Sequence, residues 1–185
     1  GSEMCIRDRN VSFPRSTGNT PCFYNHFVTD REEPFDQPGT PEEPKGHYIF
    51  DKPEPLWNFG HGKSYTTFDY VDCALSDTLL AASDTLKVSV MIKNTGRCDG
   101  KEVVQLYVRD KVSTVATPIQ QLKAFQKVLV KSGESQCVEL SLPIAELALY
   151  NAKMEEVVEP GDFEIQIGAA SDDIRFKKTI TINRK

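Results

Sequence analysis

Leu86, Val88, Val90 and Ile92 alternate with polar or smaller residues, a period of two that no helix can satisfy. The same pattern recurs at Val104, Leu106 and Val108, at Val138, Leu140 and Leu142, and at Phe163, Ile165 and Ile167. It predicts a first strand over Tyr65–Leu75, further strands over Lys101–Asp110 and Leu122–Val130, and a last one carrying Ile174, Phe176, Ile180 and Ile182. Between the runs stand turn formers. Asn94-Thr95-Gly96 and Asp99-Gly100 supply residues that tolerate positive φ, Ser132-Gly133 closes another run, and Pro143 and Pro160-Gly161 stop two more. Ile144–Tyr150 is too short for periodicity to separate a helical turn from a strand. About seven short strands at 8–12-residue spacing, with almost no helical pattern, predict an all-β fold: an antiparallel β-sandwich. Alternation means one face of each strand enters a core while the other meets water. On that basis Tyr107, Arg109 and Lys111 face away from Val104, Leu106 and Val108, toward a partner domain or solvent.

The residues before the strands have another character. Eight of the eleven prolines precede Lys63: Pro14, Pro21, Pro34, Pro38, Pro41, Pro44, Pro53 and Pro55. Proline fixes φ and removes a donor, so so dense a segment forms neither helices nor a central strand. Glu32–Gly46 reads as an extended loop or linker. It is flanked by aromatics that need a surface: Phe13, Phe23, Tyr24 and Phe27 before it, and Tyr48, Phe50, Trp57 and Phe59 after it. The segment therefore reads as a strap over a folded domain, anchored at both ends by aromatic side chains. Residues 1–9, opening on Gly1-Ser2, connect to nothing that follows and read as a cloning or assembly remnant.

Composition excludes several functions. A net charge of −5 with acids and bases interspersed lacks the basic stripe that nucleic acid requires. No apolar run approaches the roughly 20 residues that would span a bilayer. Five scattered cysteines without a C-x-x-C pair, and three histidines without ligand spacing, argue for free thiols and against a metal site, although spacing leaves one disulfide open. No cofactor motif is present. Gly60 and Gly62 read as turn glycines, because no helix follows to hold an anion.

Five motifs carry a family resemblance. Pro55-Leu56-Trp57-Asn58-Phe59-Gly60-His61-Gly62-Lys63-Ser64-Tyr65-Thr66-Thr67-Phe68 resembles the P-L-Y-P-F-G-Y-G-L-S-Y-T-T-F segment that leads into the C-terminal fibronectin type III-like domain of family 3 glycoside hydrolases. Asn94-Thr95-Gly96 with Asp99-Gly100-Lys101-Glu102-Val103-Val104-Gln105-Leu106-Tyr107-Val108 is similar to the family's N-T-G-x-x-D-G-x-E-V-V-Q-L-Y-V. Pro118, Leu122, Lys123, Phe125 and Lys127 match P-x-x-x-L-K-x-F-x-K, and Gly133-Glu134-Ser135 and Glu159-Pro160-Gly161-Asp162-Phe163 follow in order. Upstream, Phe13-Pro14-Arg15-Ser16, Pro21 and Tyr24-Asn25-His26 resemble the run that closes the preceding α/β domain. Asn19, Thr20, Cys22-Phe23 and Thr29-Asp30-Arg31 depart from it.

The resemblance implies an immunoglobulin/fibronectin type III-like sandwich over 64–185, preceded over 10–63 by the tail of the α/β domain and a Pro-rich linker. It implies a β-glucosidase- or β-xylosidase-like parent, periplasmic or secreted, that uses two carboxylates about 5–5.5 Å apart on other domains. No Asp or Glu of this chain matches either catalytic motif, so no catalytic residue is assigned. Asp30, Glu32, Glu33, Asp36, Glu42 and Glu43 read as solvated charges. The expected role is that of an accessory module whose partners are the catalytic barrel and α/β domains. Arg15, Tyr24, Trp57, Phe59, Tyr65 and Phe68 are the candidates for packing between domains, and the unpaired strap is a candidate for self-association. Trp57 and Tyr48, with Tyr65, are the alternative candidates for stacking on sugar rings in an independent carbohydrate-binding module. An adhesion or oligomerisation sandwich is the third class, since sandwiches host many functions.

Overall fold

The computed structural model describes residues 11–19, 22–27, 40–42 and 54–183. Its strands are β1 (Phe68–Leu75), β2 (Leu79–Leu80), β3 (Thr85–Asn94), β4 (Gly100–Asp110), β5 (Gln121–Val130), β6 (Ser135–Pro143), β7 (Leu149–Tyr150), β8 (Glu156–Val157), β9 (Gly161–Gly168) and β10 (Ile174–Ile182). The three two-residue pieces aside, seven strands build the sandwich, as the turn spacing predicts. One sheet has the order β1-β3-β6, the other β2-β10-β9-β4-β5, and β7 and β8 form a separate hairpin.

The alternation sets the packing. Leu86, Val88, Val90 and Ile92 of β3 are fully buried, as are Val104 and Leu106 of β4 and Ile165 of β9. Phe163, Ile180, Ile182, Val138, Leu140 and Leu142 complete one continuous core between the sheets. Each such side chain contributes roughly 1.5–3 kcal/mol relative to an exposed one, and the sum holds the sheets together.

Three features differ from the sequence expectations, and one resolves an alternative they leave open. The first strand begins at Phe68 rather than Tyr65. Thr66 Oγ1 donates to Asn94 Oδ1 at 2.6 Å and Thr95 N to Thr67 O at 2.9 Å, which pins residues 65–67 to the end of β3 and out of the ladder. Gly96 and Gly100 do not have positive φ. They are glycines because a Cβ at either would collide with the Thr66 side chain. Gly133, by contrast, does turn at φ +77. Ile144–Tyr150 proves to be both alternatives in succession, a 3-10 turn over Ile144–Leu147 and then β7. Finally, the sandwich is not wholly antiparallel. β2 pairs with β10 in parallel, with Thr181 N donating to Thr78 O and Asn183 N to Leu80 O. Two residues are too few to show a period, and Asp77 starts the strand by accepting from Thr78 N and Leu79 N.

Candidate docking interface

Strand β4 carries Gln105 and Tyr107 on the face turned away from the core, yet they are only 3% and 0% exposed. The strap covers them. Tyr24 stacks on Phe59 with centroids 4.1 Å apart and meets Tyr107 edge-on at 6.0 Å. Its hydroxyl accepts from Leu122 N at 3.2 Å, tying it to the neighbouring strand β5. The Phe59 carbonyl accepts from Ser171 N at 2.9 Å, and Asn58 Nδ2 donates to Asp172 Oδ2 at 2.7 Å. The strap is thus hydrogen-bonded to the turn that joins β9 to β10.

The local sequence explains the fit. His61 N donates to Asn58 O at 3.0 Å, closing a turn whose third residue, Gly60, sits at φ +79. That position of a type II turn favours glycine on backbone grounds alone. Here it is doubly constrained, because a Cβ on Gly60 would lie 2.5 Å from Gln105 Oε1. Gln105 cannot easily swing aside. Its Nε2 donates to Ala169 O at 2.6 Å while Oε1 accepts from the Tyr107 hydroxyl at 2.5 Å. Burial pushes the Tyr107 phenol far above its ordinary pKa, so it remains a protonated donor. These buried polar groups are paired with one another, as an enclosed contact between chain segments demands.

Two further contacts hold the strap. Phe13 N donates to Trp57 O at 2.8 Å and Leu56 N to Phe13 O at 2.7 Å, a small antiparallel bridge whose rings meet edge-on at 5.7 Å. Phe27 bridges Pro118, with Ile119 N donating to His26 O at 2.9 Å.

Of the residues expected to pack between domains, the structure brings Tyr24 and Phe59 together on the sheet and sets Trp57 against Phe13 and His61. Arg15 is exposed and its Nε donates to Glu54 O at 3.1 Å, within the strap. Tyr65 lies outside these ring pairs and is 78% exposed. Phe68 is a correction: it is buried in the core between the sheets, because as the first residue of β1 its side chain faces inward. Tyr48 lies outside the described residues, as do the acids at 30, 32, 33, 36 and 43; Glu42 is exposed. Tyr107, open to either a partner or solvent on sequence grounds, is enclosed by this chain itself. Gln105 and Tyr107 escape a reading based on alternation. The signal that finds them is the nearly unbroken apolar run Val103–Val108, which marks a strand buried on both faces. Among the described residues, no three His, Cys, Asp or Glu side chains stand close enough to hold a metal ion, and Cys22, Cys73, Cys98 and Cys137 are free thiols.

Residues 102–171 match the fibronectin type III-like domain model, and the relatives that cover nearly the whole chain are family 3 glycoside hydrolases. The sandwich is their fibronectin type III-like domain. A β-xylosidase of Formosa agariphila is 40% identical over 177 residues, covering 95% of this chain and 23% of its own length. A periplasmic β-glucosidase of Salmonella typhimurium is 36% identical, covering 89% of this chain and 21% of its own. Among solved structures, the β-glucosidase from Listeria innocua in complex with glucose superposes with a TM-score of 0.81 at 33% identity, covering 95% of this chain and 24% of that one. The chain therefore spans less than a quarter of the length of these relatives, and what it matches is their fibronectin type III-like portion rather than a catalytic domain. With 95% of the chain covered, the match takes in most of the residues before the sandwich as well.

Proposed function

We propose that this fibronectin type III-like domain braces the catalytic barrel and α/β domains of a β-glycosidase acting on terminal β-linked sugars, and that the strap is the element that transmits the contact. In this reading residues 1–9 are a cloning or assembly remnant, 10–63 are the end of the α/β domain with its linker, and 64–185 are the module. The activity is that of the β-xylosidases and β-glucosidases it resembles. One observation carries the proposal. The strap seats Tyr24 and Phe59 against the sheet while Phe23, Phe27, Leu56 and Trp57 remain 39–64% exposed, so one side is anchored and the other is apolar and open. Monomeric proteins seldom leave such a group of large side chains uncovered. A strap without its neighbouring domain is also a surface on which copies of the chain associate.

The test is deletion of 64–185 from the hydrolase encoded in frame with it. The expected result is a lower melting temperature and shorter thermal half-life of the catalytic domains, with substrate preference retained; unchanged stability overturns the proposal. Titration of the 185-residue chain with β-glucans and xylans separates the carbohydrate-binding alternative. Micromolar affinity that disappears in Trp57→Ala would count against bracing.

A further inference from the structure

The covered part of the β4–β5 face does not end at an edge. Register carries the same outward face from Tyr107 and Leu122, under Tyr24, to the pairs Gln105–Phe125, Val103–Lys127 and Lys101–Leu129. The strap closes the first part of this face. Beyond it Phe125 and Leu129 stand 66% and 56% exposed, side by side along the outermost strand of the sheet, with Lys127 between them and Lys101 opposite. Outward positions of β3 and β6 on the other sheet are mostly polar, Lys87, Ser89, Lys93, Glu139 and Ser141, with Met91 opposite Cys137 among them. Two large apolar residues flanked by lysines thus lie side by side on the face that already carries an interface.

From this we infer that Phe125 and Leu129, with Lys127 between them, form a second docking patch, continuous with the strap. Its occupant is an apolar surface rimmed by carboxylates on the preceding domains of the same polypeptide. The inference rests on the bracing role proposed above and names its contact surface. Charge selects the occupant. A second copy related by a two-fold axis would lay this patch on itself and bring lysine against lysine. An acidic rim on another domain instead pairs with Lys127 while the apolar centre excludes water.

Acetylation footprinting of lysines tests it, comparing the 185-residue chain with the full polypeptide encoded in frame. Labelling of Lys127 is expected to be largely lost in the full polypeptide as the contact excludes water, while labelling of Lys93 on the other sheet stays constant. The double variant Phe125→Ser/Leu129→Ser should leave the melting of the isolated chain unchanged and restore Lys127 labelling in the full polypeptide. Equal Lys127 labelling in the two parent proteins overturns the inference while leaving the strap's role standing. Concentration-dependent dimerisation of the isolated chain that the double variant abolishes also overturns it, in favour of a second copy. If the upstream frame encodes no glycosidase, the bracing proposal fails first.

Discussion

Strands β3 and β4 contribute to the same core and differ on their other side. Along β3 burial alternates, with Leu86, Val88, Val90 and Ile92 enclosed and Lys87 and Lys93 in solvent. Along β4 every residue from Glu102 to Val108 is buried. The inner faces are alike in chemistry, so the difference lies outside, where the strap rests on Gln105 and Tyr107 of β4. A strand enclosed on both sides within a two-layer sandwich shows that a third layer exists there, although it consists of one turn and one stacked pair of rings.

The largest effects should show the inner faces to be equivalent. Leu106→Ala on β4 and Leu86→Ala on β3 should each lose roughly 2–5 kcal/mol in urea denaturation, because both open a cavity in a closed core. A clearly smaller loss at Leu106 would mean that β4 leans on the strap instead. The outer faces should then part company. Tyr107→Ala should lose about 3 kcal/mol, as for a buried aromatic, whereas Met91→Ala, on the outward side of β3, should stay within about 0.5–1 kcal/mol. Comparable losses at the two positions would dissolve the distinction between them.

Gly60→Ala sharpens the account of the strap itself. A side chain at φ +79 pressing on Gln105 should cost about 1–3 kcal/mol, and the loss should shrink in a Gln105→Ala background, where the obstruction is gone. The smallest effect concerns the loop that follows β4. Glu159 accepts from Thr114 N at 2.9 Å and from the Thr114 and Ser113 hydroxyls. These bonds, those from Thr114 first, hold its carboxyl below the usual glutamate range. A depressed carboxyl contributes stability that is present above its unfolded pKa and lost as pH falls through the folded one. The melting difference between the protein and Glu159→Gln should therefore be widest near neutrality and narrow as the medium becomes more acidic than the ordinary glutamate pKa. Burial raises the neighbouring Asp110, whose own contribution runs the other way and is lost as pH rises.

Much of the sandwich was legible because period-two burial is local: β3, β4, β6, β9 and β10 lie where the alternation of Leu, Val, Ile and Phe places them. What escaped depends on residues far apart in sequence. Gly96 and Gly100 look like turn glycines from their neighbours, and only the approach of Thr66 from another part of the chain gives their actual reason. Phe68 ends a motif that reads as a junction and yet begins a strand, so its ring is taken by the core. The strap's aromatics announced that they needed a surface, but nothing local to Tyr24 names Phe59 or Tyr107 as its partners. β2 has two residues and no period to detect.

The bridge between Phe13 and Trp57 joins two points of the chain by backbone hydrogen bonds, whatever the number of residues between them. The entropy of closing such a loop grows only with the logarithm of its length, and doubling it adds about 0.6 kcal/mol. Tyr24 and Phe27 within that span are themselves fixed to the sandwich, by the stack on Phe59 and the bridge to Pro118. A change of length is therefore cheap in closure entropy only between Phe27 and Glu54. The two bridges together make the span between Phe27 and Glu54 the place where an engineered insertion should be tolerated.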